Sequence, residues 1–375
     1  MNLKFFFTFL MIYAPLLFMY SSGIKGLTLL DISLLTFNIF FILNGVIKKK
    51  IKLKPIVYLS PLIIYLSFWA LISLNSQDIL MRTLRYLFYI SQIYLYFNTY
   101  FEYSLGIKLY RNMSIFASLY LYIQVIVRKF YNFYLPGVIP GIPLMEEELR
   151  AYSAQRPMSF FEEPSHFAIY ILGYITIVLF EKKKLTLKNF WIVSILCVSI
   201  FLSSSFLGII VLFILILIKI MQSIIQNIVK RKVNIKYTII FLICILIGIL
   251  SLKNTKAFEY LSNAEILLKQ ASGRFEGYYH YASLKSDIIQ NFFGRGMIGM
   301  PDGLYYPSYI LIVYYFGYIG LALFLFVILF SFRIKNFDKF SALIICLLGL
   351  GIGSELILGR FILLYYSIIA ARNKE

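Results

Sequence analysis

Four stretches of this chain, residues 27–47, 55–74, 206–218 and 306–330, carry a single charged side chain between them, Asp31. Three of the four reach the ~20 residues that an α-helix needs to cross a ~30 Å hydrocarbon core. Hydrophobic residues make up 61% of the 375 and mean hydropathy is +0.82. Soluble domains hold ~45–50% apolar residues, so a water-soluble core has no room for this many. The expected fold class is all-α: a polytopic integral membrane protein forming one membrane domain, 1–375.

Hydropathy places twelve spans near 5–22, 27–47, 55–74, 86–101, 113–127, 166–180, 190–202, 206–220, 237–252, 306–330, 340–354 and 356–371. An even count puts both termini on one side. Placing that side in the cytoplasm assigns it 22 of the 36 Lys and Arg residues, including the run Lys48 to Lys54 and the cluster Lys219 to Lys236. This is the bias expected of cytoplasmic loops. The first span is read as a retained helix, because no small-residue cleavage site follows it. The stretch 190–202 is short for a crossing and runs into Ser203-Ser204-Ser205; the basic loops on either side favour a hairpin there over one long tilted span. Two segments break the pattern of tight turns, an outward loop 128–165 and a second outward loop 253–305 expected to carry an interfacial helix.

The formal net charge of +19 does not imply nucleic acid, since the basic residues sit in short runs between apolar spans instead of along one face. Cys197, Cys244 and Cys346 all fall inside apolar spans, without metal or disulfide spacing. No metal and no cofactor are expected, because neither histidine has a zinc spacing and neither a P-loop nor a dinucleotide fingerprint is present.

Polar chemistry concentrates in the two loops. The first ends in QRPMSFFEEPSHFAIYILGY, residues 155–174. Pro164 fits the first turn of a helix, whose N-terminal N–H groups attract anions. Arg156 adds a donor suited to phosphate. Glu162 and Glu163 lie at the same point, either as a general base or arginine orienter, or as partners of the helix dipole. In the second loop, Tyr278, Tyr281, Leu284, Ile288 and Phe292 recur at helical spacing, so an amphipathic helix is expected from Arg274 to Asn291, with Arg274 and Tyr278 on one face. Gly294 stops it, and Arg295 sits between two glycines whose exposed backbone can assist an anion contact. Arg274, Lys285 and Arg295 can equally bind lipid headgroups. His166 and His280 are the two residues able to exchange a proton near neutral pH, or are interfacial hydrogen-bonding groups. Asp31, Glu355 and Arg360 lie near span ends, where a structural role is expected.

The string RPMSFFEEPSHFAIY resembles the Arg…F-x-EPS…A-x-Y signature of Wzy-type oligosaccharide repeat-unit polymerases, and SGRFEGYYHYASLKSDIIQNFFGRG resembles their following S-G-R…aromatic…N-x-x-x-G-x-G segment. The likeness covers the two loops and the topology, about a fifth of the chain. It implies a bacterial cytoplasmic (inner) membrane enzyme that extends O-antigen or capsular glycan on the outer face. A growing chain would move from undecaprenyl diphosphate to the terminal sugar of an incoming lipid-linked repeat unit. On this resemblance Arg156, Glu163, Arg274 and His280 would be catalytic, and Glu162, Ser165, His166, Tyr278, Arg295 and Tyr306 would bind substrate. The partners implied are the undecaprenyl-diphosphate-linked donor and acceptor, membrane lipids, and a chain-length regulator and flippase of the same pathway. Related O-antigen ligases carry a His-Asn type element eleven residues before a G-x-x-G. Here that motif is Gly317 to Gly320, and Tyr306 occupies the position eleven residues earlier, which favours polymerase over ligase. A non-enzymatic flippase or transporter would place charges in the middle of several spans, which this chain does not.

Overall fold

The computed structural model describes residues 2–24, 26–48, 54–72, 77–145, 156–180, 186–230, 276, 279–283, 287–296, 308–331, 361 and 363–364. Its elements are α-helices: α1 Leu3–Leu17, α2 Leu29–Lys48, α3 Lys54–Ile72, α4 Gln77–Tyr100, α5 Tyr103–Tyr131, α6 Pro164–Phe180, α7 Leu187–Leu202, α8 Phe206–Lys230, α9 Ile288–Phe293 and α10 Ser308–Ser331. Among the described residues there is no strand, only an isolated bridge between Ser21 and Thr28. The chain is all-α. By length and composition, Tyr103–Tyr131 and the Tyr309–Phe326 part of α10 are long and apolar enough to cross a membrane, and six shorter apolar helical stretches of 10–17 residues accompany them.

Helix boundaries depart from the hydropathy spans where a helix carries charged side chains or where glycines turn the chain. α4 begins at Gln77, well before the expected 86, because Arg85 belongs to the helix and not to a loop. Its Nε donates to Asp31 Oδ2 at 3.1 Å, its Nη2 donates to the Gly26 carbonyl, and its guanidinium lies over the Phe18 ring. α5 likewise extends past both ends of the expected 113–127, with Lys108, Arg128 and Lys129 exposed at its termini. α1 stops at Leu17 and not at 22, since Ser21 to Gly26 turn the chain, with Gly23 and Gly26 at positive φ. The spans expected at 237–252 and 340–354, and nearly all of 356–371, lie outside the described residues, as do Glu355 and Arg360.

The chain divides into two units, 1–109 with 269–375, and 110–268. In the first, α1 packs on α2 and α4, α3 packs on α4 and α10, and α9 packs on α10. One apolar cluster joins Leu62, Leu66, Trp69, Tyr86, Ile90, Phe316 and Phe324. A second joins Phe7, Leu10, Leu34, Phe37, Tyr89 and Tyr96. Asp31 sits within the first unit as a closed polar set. Thr28 and Asp31 form a reciprocal cap on α2, Thr28 N–H to Oδ2 at 2.8 Å and Asp31 N–H to Thr28 Oγ1 at 3.1 Å, while Tyr89 OH donates to Oδ1 at 2.8 Å. The structural role expected of Asp31 is what its contacts describe.

In the second unit, α6 packs on α7 and α8, which also pack on each other. Every residue of α6 except Ser165 is buried, so its apolar character on all sides matches its surroundings. Ser118 and Ser199 share a 2.9 Å hydrogen bond between α5 and α7, and Tyr122 OH donates to the Ile195 carbonyl at 2.7 Å. The chain breaks at the three serines: Ser203 ends α7, Ser204 has φ +54°, and Ser205 Oγ accepts the Gly208 N–H as the cap of α8.

Replacing Arg85 with Leu strands the Asp31 carboxylate in its buried setting, a loss of about 3 kcal/mol. Thermal unfolding in detergent should show Arg85→Leu as more destabilising than the pair Asp31→Asn/Arg85→Leu, which removes both charges.

Candidate functional site

The segment Arg156–His166 is held by three sets of contacts, all within the second unit. Its turn is made locally: Phe161 N–H bonds to the Met158 carbonyl at 3.1 Å, and Ser159 adopts φ +55°, a left-handed conformation rare for a residue with a side chain. That conformation is held by neighbours on α5. Ser159 N–H donates to Gln124 Oε1 at 2.8 Å and Ser159 Oγ to the Ala117 carbonyl at 2.7 Å. Aromatic packing completes the seat. Phe160 stacks on Phe116 and Tyr120, with centroids 5.1 and 4.3 Å apart, and Phe161 packs against Phe167 and Tyr170 of α6.

α6 starts at Pro164, as its sequence predicts. Its first turn is closed by Phe167 N–H to the Glu163 carbonyl at 3.2 Å, and Ser165 Oγ donates to Glu163 Oε2 at 2.6 Å. Negative charge here is favoured by the partial positive charge of the helix N-terminus. Glu162 points the other way. Its Oε2 lies 3.7 Å from His166 Nδ1, one helical turn on, and the side chains are 1% and 3% exposed. A carboxylate this deeply buried is costly unless another group shares its charge or proton, and the imidazole is placed to do so. Glu163 and Arg156 are partly exposed, so of the acidic and basic groups in this segment these two reach the surface. Tyr134 OH donates to the Arg156 carbonyl at 3.4 Å, and Gly137 lies against Ser159 so closely that a Cβ on it would be 1.8 Å from the Ser159 oxygen.

The first unit contains the described part of the second loop. The amphipathic helix expected over 274–291 is not continuous. Residues 279–283 are helical, Asp287 is non-helical at the cap of α9, and α9 begins at Ile288. The helical period of the apolar residues continues through this point, but Asp favours the capping conformation over a helix interior. Gly294 ends α9 at φ +85°, as expected. Residues 292–296 then lie against a break in α10, where Gly317 has φ +65° and non-helical ψ. Arg295 N–H and Gly296 N–H donate to the carbonyls of Tyr314 and Tyr315 at 3.0 and 2.8 Å, and Tyr65 OH reaches the Phe293 and Phe316 carbonyls at 2.6 and 2.7 Å. The backbones approach so closely that a Cβ on either Gly294 or Gly317 would fall within 2.4 Å of a carbonyl oxygen.

Arg295 stands over the Tyr314 ring at 5.4 Å. Beside it, burial and the neighbouring Tyr318 hydroxyl push Tyr281 up to about 12, so it is a neutral phenol at physiological pH. His280 accepts the Ser283 hydroxyl at its carbonyl, 2.8 Å. Arg274, Tyr278 and Tyr306 lie outside the described residues. The structure therefore brings Glu162, Glu163, Ser165 and His166 together at the head of α6, with Arg156 in the segment leading to it. Arg295 and His280 belong to the other unit. Sequence reasoning missed Gln124 and Arg85. Each is a strongly polar side chain on a helix of an apolar protein, but its partners are brought to it by the fold and leave no motif in the sequence.

Compared with protein-family models, curated proteins and solved structures, the chain finds no match in any of the three.

A methyl group at Gly137 has only backbone to displace. Gly137→Ala should speed proteolytic cleavage between 132 and 163 while leaving α7 and α8 resistant, as read by mass spectrometry of limited digests.

Proposed function

We propose that this chain is a lipid-linked glycan polymerase of the bacterial cytoplasmic membrane, with twelve spans, both termini in the cytoplasm and its two long loops on the outer face. It joins undecaprenyl-diphosphate-linked repeat units into O-antigen or capsular polysaccharide. The observation that carries the reading is the head of α6. There, the segment bearing the resemblance presents a partly exposed carboxylate, Glu163, above a buried Glu162–His166 pair, with Arg156 seven residues upstream.

A membrane setting is supported by the outer surfaces of the helices. On α5, Phe116, Leu119, Ile123, Ile126 and Phe130 form an exposed apolar stripe at three- and four-residue spacing, and on α3 Ile64, Phe68 and Leu71 form another. Contiguous apolar surface of this kind is costly in water and ordinary in lipid. Arg128 and Lys129 with exposed Phe130 and Tyr131 at the end of α5 suit the headgroup level. The exposed Ile288, Ile289, Phe292 and Phe293 of α9 suit an interfacial helix.

In the reaction, a hydroxyl oxygen of the acceptor sugar bonds to the anomeric carbon of the donor, the carbon–oxygen bond to the diphosphate breaks, and the hydroxyl proton passes to a base. The partial exposure of Glu163 supports assigning it the role of that base. The departing undecaprenyl diphosphate gains one negative charge on the oxygen released from the anomeric carbon, which cations at the membrane surface stabilise together with the charges already on the diphosphate, the role given to Arg156 and Arg274. The Glu162–His166 pair holds the first turn of α6 beneath the reacting groups. The donor is already activated, so the transfer needs no nucleotide.

A gel of surface glycan from a strain lacking the gene tests the reading. Wild-type complementation should restore a ladder from a single attached repeat, while Arg156→Ala and Glu163→Gln, both retained in the membrane, should not. Undecaprenyl-linked polymer accumulating unattached in the deletion strain would make the protein a ligase, and repeat units trapped on the cytoplasmic face would make it a flippase.

A further inference from the structure

Gln124 lies near the C-terminal end of α5 with 2% of its surface exposed. Its amide is used from both ends. The oxygen accepts Ser159 N–H at 2.8 Å, and the nitrogen donates to the Leu135 carbonyl at 2.8 Å and to the Ser159 carbonyl at 3.4 Å. Leu135 and Ser159 stand near the two ends of the first loop, so one side chain ties both to the same helix. A primary amide supplies the donor and acceptor that this requires; a hydroxyl is too short and a carboxylate lacks the donor. Tyr120, one turn earlier, adds a 2.6 Å bond to the Pro136 carbonyl and the ring against which Phe160 stacks.

Ser159 is four residues before Glu163, and little freedom remains between them. Phe161 N–H is turned back on Met158, and Phe160 and Phe161 are each packed between aromatic rings. We infer that Gln124 is a positioning residue for this site: by clamping Ser159 and Leu135 to α5, it fixes where Glu163 and Arg156 stand above the head of α6. The clamp itself is independent of the chemistry; its effect on turnover rests on the polymerase reading.

The test uses the full chain in proteoliposomes, with undecaprenyl-diphosphate-linked repeat units as the probe, and hydrogen exchange on the same preparations. Gln124→Met keeps length and volume but removes both donor and acceptor. It should lower kcat about 100-fold with little change in KM, because a displacement of an ångström or so at the reacting groups suffices for that loss. Exchange in peptides covering 156–163 should accelerate about tenfold, with those of α7 unchanged.

Gln124→Glu supplies the signature that a merely structural role would not give. Its neutral acid offers a donor and an acceptor, whereas its carboxylate would face the Leu135 carbonyl with no hydrogen to give. Burial disfavours the charged form, so the kcat of this variant relative to wild type should rise as pH falls from about 8 to about 5.5. The titratable and charged side chains around the clamp are Tyr120, Tyr122, Arg128 and Lys129 on α5, Tyr134, Arg156, Glu162 and Glu163 in the loop, and His166 on α6. All of these are present in both proteins, so the variant is read as its ratio to wild type. Gln124→Met with wild-type kcat, or with unchanged exchange at 156–163, would overturn the inference, as would a flat pH ratio for Gln124→Glu. If wild type itself makes no polymer, the polymerase reading fails and exchange alone decides the clamp.

Discussion

A backbone carbonyl or N–H released from a helix in apolar surroundings must find another partner, and with no water available the partner has to come from the chain. Three irregular points among the described residues meet this constraint. At Gly317 the freed carbonyls of α10 are taken up by Arg295 N–H, Gly296 N–H and Tyr65 OH. At the serine turn, Ser205 Oγ supplies the cap that starts α8. At the first loop, Gln124 answers both Leu135 and Ser159.

Charge obeys the same rule more strictly. Asp31 is 3% exposed and is met by a guanidinium, a phenol and a backbone N–H, with its own N–H returned to Thr28. Glu162 is met by His166. The contrast within the pair Glu162 and Glu163 is then informative. Adjacent carboxylates on a turning backbone point to different surroundings, one buried against an imidazole and the other partly exposed. Spacing alone does not separate the two roles.

The existence of the helices was legible in the apolar runs, and the start of α6 in Pro164. Their limits were less so. Hydropathy discounts a charged residue wherever it occurs, so it cut α4 short of Arg85, a residue whose charge is neutralised by a helix more than fifty positions away. The T-x-x-D pattern of Thr28 and Asp31 was present to be read as a cap, whereas the Asp31–Arg85 pairing is a tertiary fact with no local trace. The opposite error occurred at 274–291, where a regular apolar period ran straight across Asp287 while the backbone did not. Of the site, the acidic cluster before α6 was visible as a motif. Gln124 was not, because its importance comes from what reaches it in space.

The seal at the break in α10 combines partners of very different sequence distance. Arg295 and Gly296 precede Tyr314 and Tyr315 by about twenty residues, a loop whose closure costs little entropy. Tyr65 comes from 228 residues before Phe293. The nearby pair therefore satisfies two freed carbonyls of α10, whereas Tyr65 reaches the third from α3. Its hydroxyl gives the Phe316 carbonyl a donor only because α3 and α10 pack in this register.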